Sequence, residues 1–296
     1  MRFLISGASG FVGQPLVERF QANGHEVTRL VRQQTAGKPD AVAWAPARGE
    51  LDPKALDGVD VVVNLNGRSI ADGRWTDEVR AELRSSRLDS TRTLVEAIRR
   101  ADQPPKAFLS ASAIGYYGHR GDEVLDESAS AGDDFLANLA RDWEDAAAGV
   151  REVGVRVVTL RLGMVVGRGG AVAKMLLPFK LGAGGPIGNG KQWWSWISLD
   201  DVVGSIEFLA ADVDIQGPVN LVSPEPSRCK DFTKTLGKVL RRPAFMPLPA
   251  FAARLAMGDM ADALLLASTR VKPTVLEQAG YTYEAGDLEE ALRRAV

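Results

Sequence analysis

The first half of the chain alternates short runs of Val, Ile and Leu with longer stretches in which apolar residues return every three or four positions. The short runs predict strands at Phe3–Ser6, Glu26–Val31, Ala41–Trp44, Val59–Leu65, Ala107–Ala111 and Val155–Leu160. Helices are predicted between them at Val12–Asn23, stopped by Gly24, from Thr76 to about Arg100, and at Asp133–Val150. In the second of these, Leu83, Leu88, Leu94, Val95 and Ile98 share one face. Strand runs that are apolar throughout, separated by helices, predict an α/β fold with a doubly wound parallel sheet covered on both faces.

Beyond Gly167 the texture changes. Gly169-Gly170, Gly182, Gly184-Gly185, Gly188 and Gly190 crowd together, interleaved with Met175, Leu176, Leu177, Phe179, Trp193, Trp194 and Trp196. A long, irregular but ordered region is expected there. Ser198-Leu199-Asp200-Asp201 reads as a cap ahead of a helix to Ala211, and short helices punctuated by Pro243, Pro247, Pro249 and Pro273 follow Pro224-Glu225-Pro226. The expected organisation is a nucleotide-binding domain at 1–165 and a smaller substrate lobe and C-terminal cap at 166–296, the helix near 199–211 returning to the first domain.

Composition narrows the class. With 36 Lys+Arg against 38 Asp+Glu the net charge is −2, which gives no basic field for a nucleic acid. One cysteine excludes an internal disulfide, and two histidines supply no metal site at useful spacing. No apolar run approaches the roughly 20 residues of a membrane span. The chain runs from Met1-Arg2 straight into Phe3-Leu4-Ile5, so a cytoplasmic protein is expected, without membrane association.

The sharpest local signal is Gly7-Ala8-Ser9-Gly10-Phe11-Val12-Gly13, directly after a strand and opening a helix. Gly7 permits a tight turn, Gly10 lets backbone approach a diphosphate, and Gly13 lets helix and strand pack. The N–H groups of Ser9, Phe11 and Val12 with the helix dipole then favour an anion. Where an acidic residue would hold the adenosine ribose, the second strand ends Val31-Arg32. A guanidinium at 32 pairs with a 2′-phosphate, so NADP(H) is favoured over NAD.

The Gly-x-x-Gly-x-x-Gly spacing resembles the short-chain dehydrogenases/reductases. In that superfamily a serine near the fifth strand holds the substrate oxygen and a Tyr-x-x-x-Lys pair moves the proton. Four residues beyond Tyr116, Tyr117, Tyr281 and Tyr283 stand Arg120, Gly121, Ala285 and Asp287, so none of the four tyrosines has its lysine. The helix positions Phe135/Leu139 and Leu136/Ala140 are apolar. Ser112 matches the serine, and Arg87 stands where extended members carry an asparagine. Three explanations stay open: another acid/base, with Tyr116 and Tyr117 first; a cofactor held without turnover; or a register displaced by one turn.

Further stretches make the resemblance more specific: Asn64-Leu65-Asn66-Gly67 with Arg74-Trp75-Thr76, Ser110 to Gly118, Arg141-Asp142-Trp143-Glu144, Gly188 to Ile197, and Pro224-Glu225-Pro226. Over essentially its whole length the chain resembles the atypical, extended "epimerase family protein" group, which carries a characteristic C-terminal extension. The resemblance implies a Rossmann-type fold and an NADP(H)-dependent oxidoreductase or epimerase acting on a small polar substrate. It equally admits a non-catalytic NADPH-binding or redox-sensing protein, since members lack the tyrosine–lysine pair and some are linked to cell division. It implies cofactor contacts at Asn64, Leu65, Asn66, Gly67, Arg87, Ser110 and Ala111, a cofactor-facing wall at Arg161, Leu162, Gly163 and Met164, and a homodimer. Trp194 and Trp196, on one face of a short strand, form either a stacking platform for substrate or a lobe's apolar anchor.

Overall fold

The computed structural model describes residues 1–32 and 40–296. In chain order the strands are β1 (Arg2–Ser6), β2 (Glu26–Arg32), β3 (Ala41–Trp44), β4 (Val61–Asn64), β5 (Ala107–Ala113), β6 (Val124–Leu125), β7 (Arg156–Leu162), β8 (Met164–Val166), β9 (Trp193–Trp194), β10 (Trp196–Ser198), β11 (Gly217–Leu221), β12 (Ser227–Arg228) and β13 (Arg270–Val271). The helices are α1 (Gly13–Ala22), α2 (Asp77–Arg100), α3 (Phe135–Ala148), α4 (Gly170–Lys180), α5 (Leu199–Ala211), α6 (Cys229–Leu240), α7 (Ala250–Met257), α8 (Asp259–Ala261), α9 (Thr274–Gln278) and α10 (Leu288–Ala295).

Seven strands pair in the order β3-β2-β1-β4-β5-β7-β11, all parallel. Their apolar runs are continuous because both faces are covered. Phe3 and Ile5 pack with Leu16, Phe20, Val202 and Ile206 of α1 and α5, whereas the intervening Leu4 packs with Leu94, Ile98 and Ala147 of α2 and α3. The strand order reverses between β1 and β4, and ligands of open α/β sheets bind at the carboxyl ends of the strands flanking such a reversal.

Besides the two- and three-residue strands β6, β8, β12 and β13, two longer elements lie outside the expected pattern. Residues 217–221 add a strand at the sheet edge, where Pro218 is tolerated because one side needs no ladder donor. Within the region expected to be irregular, residues 170–180 form α4, with Val172 and Phe179 buried at positions i and i+7. Pro178 and the flanking glycines mask this periodicity in the sequence.

The rest builds a second layer. Trp194 and Trp196 sit with Phe232, Leu236 and Leu292 in one apolar cluster. The C-terminal extension is fastened to the start of α5, where Ser198 caps the helix by accepting from the Asp201 N–H at 2.9 Å and donates to the Asp201 carboxylate at 2.5 Å. That buried carboxylate also accepts from the Glu284 N–H at 2.6 Å and the Ala285 N–H at 3.2 Å. Asp201 is thus a structural staple between the two layers. No helix among the described residues is long and apolar enough to cross a membrane.

Candidate functional site

The glycine turn lies at the switch point. Gly7 adopts a φ of 71°, and a Cβ there would stand 2.7 Å from the Leu65 carbonyl group of β4's continuation. A Cβ on Gly13 would intrude on the Gly7 carbonyl oxygen, so α1 starts directly against the turn. The Gly10 N–H donates to Gly7 O at 2.9 Å, and that of Gln14 to Gly10 O at 3.0 Å. No side chain caps α1 and its first turn holds no acidic residue, which leaves the positive end of the helix for a ligand. Ser9, Gly10, Phe11 and Gln14 border an open cavity of about 670 Å³, also lined by Glu18, Arg168, Asp200 and Arg294. A glycine cradle without a side-chain cap fits a dinucleotide diphosphate.

Arg32 ends β2 and is exposed; the residues that follow it, 33–39, lie outside the described ones. Arg29 is turned away and paired with Asp40 at 2.6 Å, as strand alternation requires.

At the end of β4 the side chains do not all face a ligand. Register sets Ser6, Asn64 and Ser110 side by side across β1, β4 and β5. Asn64 accepts from the Ser6 hydroxyl at 2.7 Å and donates to Thr91 Oγ1 at 2.8 Å and Ser110 Oγ at 3.3 Å. Asn64 and Ser110 are fully buried in this polar seam, and Ala111 packs on Leu88 and Trp143. These three side chains are therefore structural in place; the accessible edge of the cleft is Leu65, Asn66 and Gly67, with Arg87 behind Gly67.

Ser112 belongs to a charged network. Its hydroxyl donates to Glu144 Oε1 at 2.7 Å, and Arg161 grips both oxygens of Glu144 from Nε and Nη2 at 2.8 and 2.9 Å. Arg161 Nη1 donates to the Tyr117 hydroxyl at 2.9 Å, which donates to Asn220 Oδ1 at 2.7 Å. The guanidinium also lies 3.5 Å below the Tyr116 ring. Burial pushes the Tyr117 phenol up to about 12, although Arg161 opposes the shift. A fully buried tyrosine with its oxygen bonded on both sides has no access to a substrate proton. Of the two tyrosines, only the half-buried Tyr116 stays in reach.

Two points differ from the sequence reading, and one alternative it left open is decided. Arg161, expected as a cofactor wall, is buried with its donors on Glu144, Tyr117 and the Glu127 carbonyl. Its neighbours diverge: Leu162 packs into the sheet core, Gly163 passes beneath the Ser195 carbonyl, and Met164 packs on the second apolar cluster. Trp194 and Trp196 are only 7 % and 2 % exposed and donate their indole N–H groups to the Leu265 and Glu225 carbonyls, so they anchor the lobe instead of stacking on substrate. Glu144 was not among the expected site residues. It stands one turn after Ala140 on the face where the proton-transfer pair was sought, and that spacing is the signal that finds it. At the positions examined for the pair, Phe135 packs edge-on to Trp75 at 5.4 Å, and Leu139 and Ala140 are buried. Among the described residues no group of His, Cys, Asp and Glu is arranged to hold a metal.

Residues 3–221 match the model of the NAD dependent epimerase/dehydratase family, and residues 248–295 that of a domain of unknown function, DUF1731. The chain belongs to the NAD dependent epimerase/dehydratase family. Among similar members of this family, human epimerase family protein SDR39U1 (isoform 2), crystallised with NADPH, superposes with a TM-score of 0.89 at 36 % identity, covering 99 % of this chain and 98 % of that one. Epimerase family protein Mb2239 of Mycobacterium bovis is 41 % identical over 289 residues, 97 % of this chain and 95 % of the relative. YfhF of Bacillus subtilis, also named an epimerase family protein, is 34 % identical over 300 residues, covering 100 % of this chain and 98 % of YfhF. The family fold accounts for the cradle at the β1–β4 reversal, and the C-terminal extension for the layer fastened by Asp201.

Proposed function

We propose that the chain is an NADP(H)-dependent oxidoreductase or epimerase-like enzyme of the extended short-chain dehydrogenase/reductase class, acting on a small polar substrate in the cytoplasm, without a nucleic-acid partner. The carrying observation is the uncapped α1 behind the Gly7–Gly13 turn, set at the strand-order reversal two strands from Ser112. The NADPH in the crystal structure of the human relative supports the same cofactor class. The backbone of Ser9 to Val12 holds the diphosphate, Leu65 to Gly67 border the cofactor, and Arg32 selects the 2′-phosphate. Bound there, the nicotinamide supplies or accepts hydride. Ser112 is only 2 % exposed with its hydrogen committed to Glu144, so it braces the wall behind the cleft, and the half-buried Tyr116 is the group left to move a proton at a substrate oxygen.

Replacing Arg32 by alanine is expected to weaken NADPH binding about tenfold, read by tryptophan fluorescence, because a charge-assisted phosphate contact is worth about 1.5–3 kcal/mol. NADH binding stays unchanged; equal affinities for the two cofactors in the unaltered chain would remove the 2′-phosphate argument.

The reaction has its own test. Stereospecifically deuterated NADPH incubated with pooled small metabolites is expected to pass its label to a product. A second reading, a non-catalytic NADPH-binding or redox-sensing protein, is favoured by the closure of the Ser112–Glu144–Arg161–Tyr117 network on itself. Tight NADPH binding with no label transfer would establish that reading.

A further inference from the structure

Several arginines of α2 and of the loop before it are paired with carboxylates, whereas Arg74, Arg87 and Arg92 have no such partner among the described residues. Arg68 pairs with Glu82, Arg84 with Asp142, and Arg80 with Asp259 at 2.5 Å. Arg87, partly buried, makes no ion pair among the described residues; its Nη1 and Nη2 donate to the Leu83 and Arg68 carbonyl oxygens, each at 3.0 Å. Beneath it lies the Trp143 ring, 5.1 Å from Cζ.

Burial without a counter-ion pushes this guanidinium down to about 10. Two carbonyl dipoles and an indole face offset part of that cost, and an anion would offset the rest. The approach is open because residue 67 is glycine. A Cβ there would lie 3.3 Å from Arg87 Cζ and 3.5 Å from Nε, covering the group, whereas the exposed Gly67 leaves it uncovered at the edge of the cleft. On α3, Trp143 beneath Arg87 is followed by Glu144, which holds Ser112, so the unpaired cation lies over the same helix that braces the buried Ser112–Glu144–Arg161 network.

We propose that Arg87 receives an anionic group of the substrate, a carboxylate or a phosphate, at the edge of the cleft beside Gly67. The substrate is then a small hydroxy or oxo acid or a phosphorylated counterpart. This rests on the reading of the cleft as an NADP(H) site, and goes beyond it by assigning the substrate's charge.

The probes are inorganic phosphate and malonate, added to the full chain with and without saturating NADPH. One readout is the thermal midpoint; the other is labelling of Arg87 by phenylglyoxal, located by peptide mass mapping. Protection of Arg87 by malonate identifies a carboxylate, and protection by phosphate a phosphate ester. Arg87→Gln is expected to weaken probe binding about tenfold or more, the loss of one charge-assisted pair, both with and without NADPH. Gly67→Val, which leaves the arginine and its carbonyl bonds in place, is expected to weaken the probe similarly. A probe that protects Arg87 in a chain that fails to bind NADPH would sink the cofactor reading and keep the anion site. Absence of protection by either probe, unchanged probe binding in both variants, or a tenfold loss of NADPH affinity in Arg87→Gln with intact probe binding would overturn the proposal.

Discussion

Glu144→Ala is expected to lower the stability of the chain by about 3–5 kcal/mol, read as a fall in the urea midpoint at unchanged slope. The size comes from what is left behind. Arg161 is only 3 % exposed in its side chain, and Glu144 is its sole ion-pair partner among the described residues, held through two hydrogen bonds. Removing the carboxylate strands a buried guanidinium with only the Tyr117 hydroxyl and the Glu127 carbonyl. The double variant Glu144→Leu, Arg161→Met is expected to recover most of the loss, because replacing both members of a buried pair by apolar side chains avoids the stranded charge. Ser112→Ala, by contrast, leaves the ion pair intact and is expected to cost no more than about 1–2 kcal/mol. A Glu144→Ala chain as stable as the original would show that water reaches the pair and that the network is not closed.

Gly13→Val is expected to abolish NADPH binding at attainable concentrations and to destabilise the chain by about 1–3 kcal/mol, the usual range for overpacking. The added Cβ meets backbone, the Gly7 carbonyl oxygen and Ala8 Cα, and no rotamer change relieves a backbone clash. Relief must come from moving α1 away from the turn, which takes its free N–H groups off the diphosphate. Losing two such charge-assisted contacts corresponds to a drop on the order of 100-fold or more. Gly24→Val is the control: nothing lies within 4 Å of its missing Cβ, so it perturbs backbone conformation alone and leaves NADPH affinity unchanged. Titration by tryptophan fluorescence and a thermal scan separate the two effects.

How much of this was legible along the chain depends on the range of the interaction. The Gly7, Gly10 and Gly13 pattern is local: a turn and the first residues of a helix are specified within seven positions, and the structure shows the packing that spacing implies. The alternation of strand and helix gave the sheet, but not β11, whose Pro218 and Asn220 lack strand character and whose place comes from pairing with β7. Residues 170–180 illustrate a different failure, since a helix-spaced apolar stripe was present yet obscured by its proline and glycines.

The site was legible in part, and what was not legible shares a cause. Asn64 and Ser110 stand at the carboxyl ends of their strands, where the resemblance implies backbone contacts to a cofactor, and parallel register aligns their side chains with Ser6 in a buried seam. Trp194 and Trp196 looked equally suited to substrate or core, and packing on Phe232 decides for core. Glu144 lies 32 residues from Ser112 and 17 from Arg161, so nothing short of the α3–β5–β7 packing brings the three together.

The sequence by itself determined the α/β class, the phosphate cradle and the absence of a tyrosine–lysine pair, because each depends on residues within one or two turns of each other. Tertiary structure alone decided that Ser112 is tied to a glutamate–arginine pair, that Tyr117 is sealed off while Tyr116 is not, and that Arg87 has no counter-ion among the described residues. Those outcomes depend on which face of each strand and helix meets which neighbour. A one-residue change of register would reassign every one of them without altering the pattern that specifies the elements.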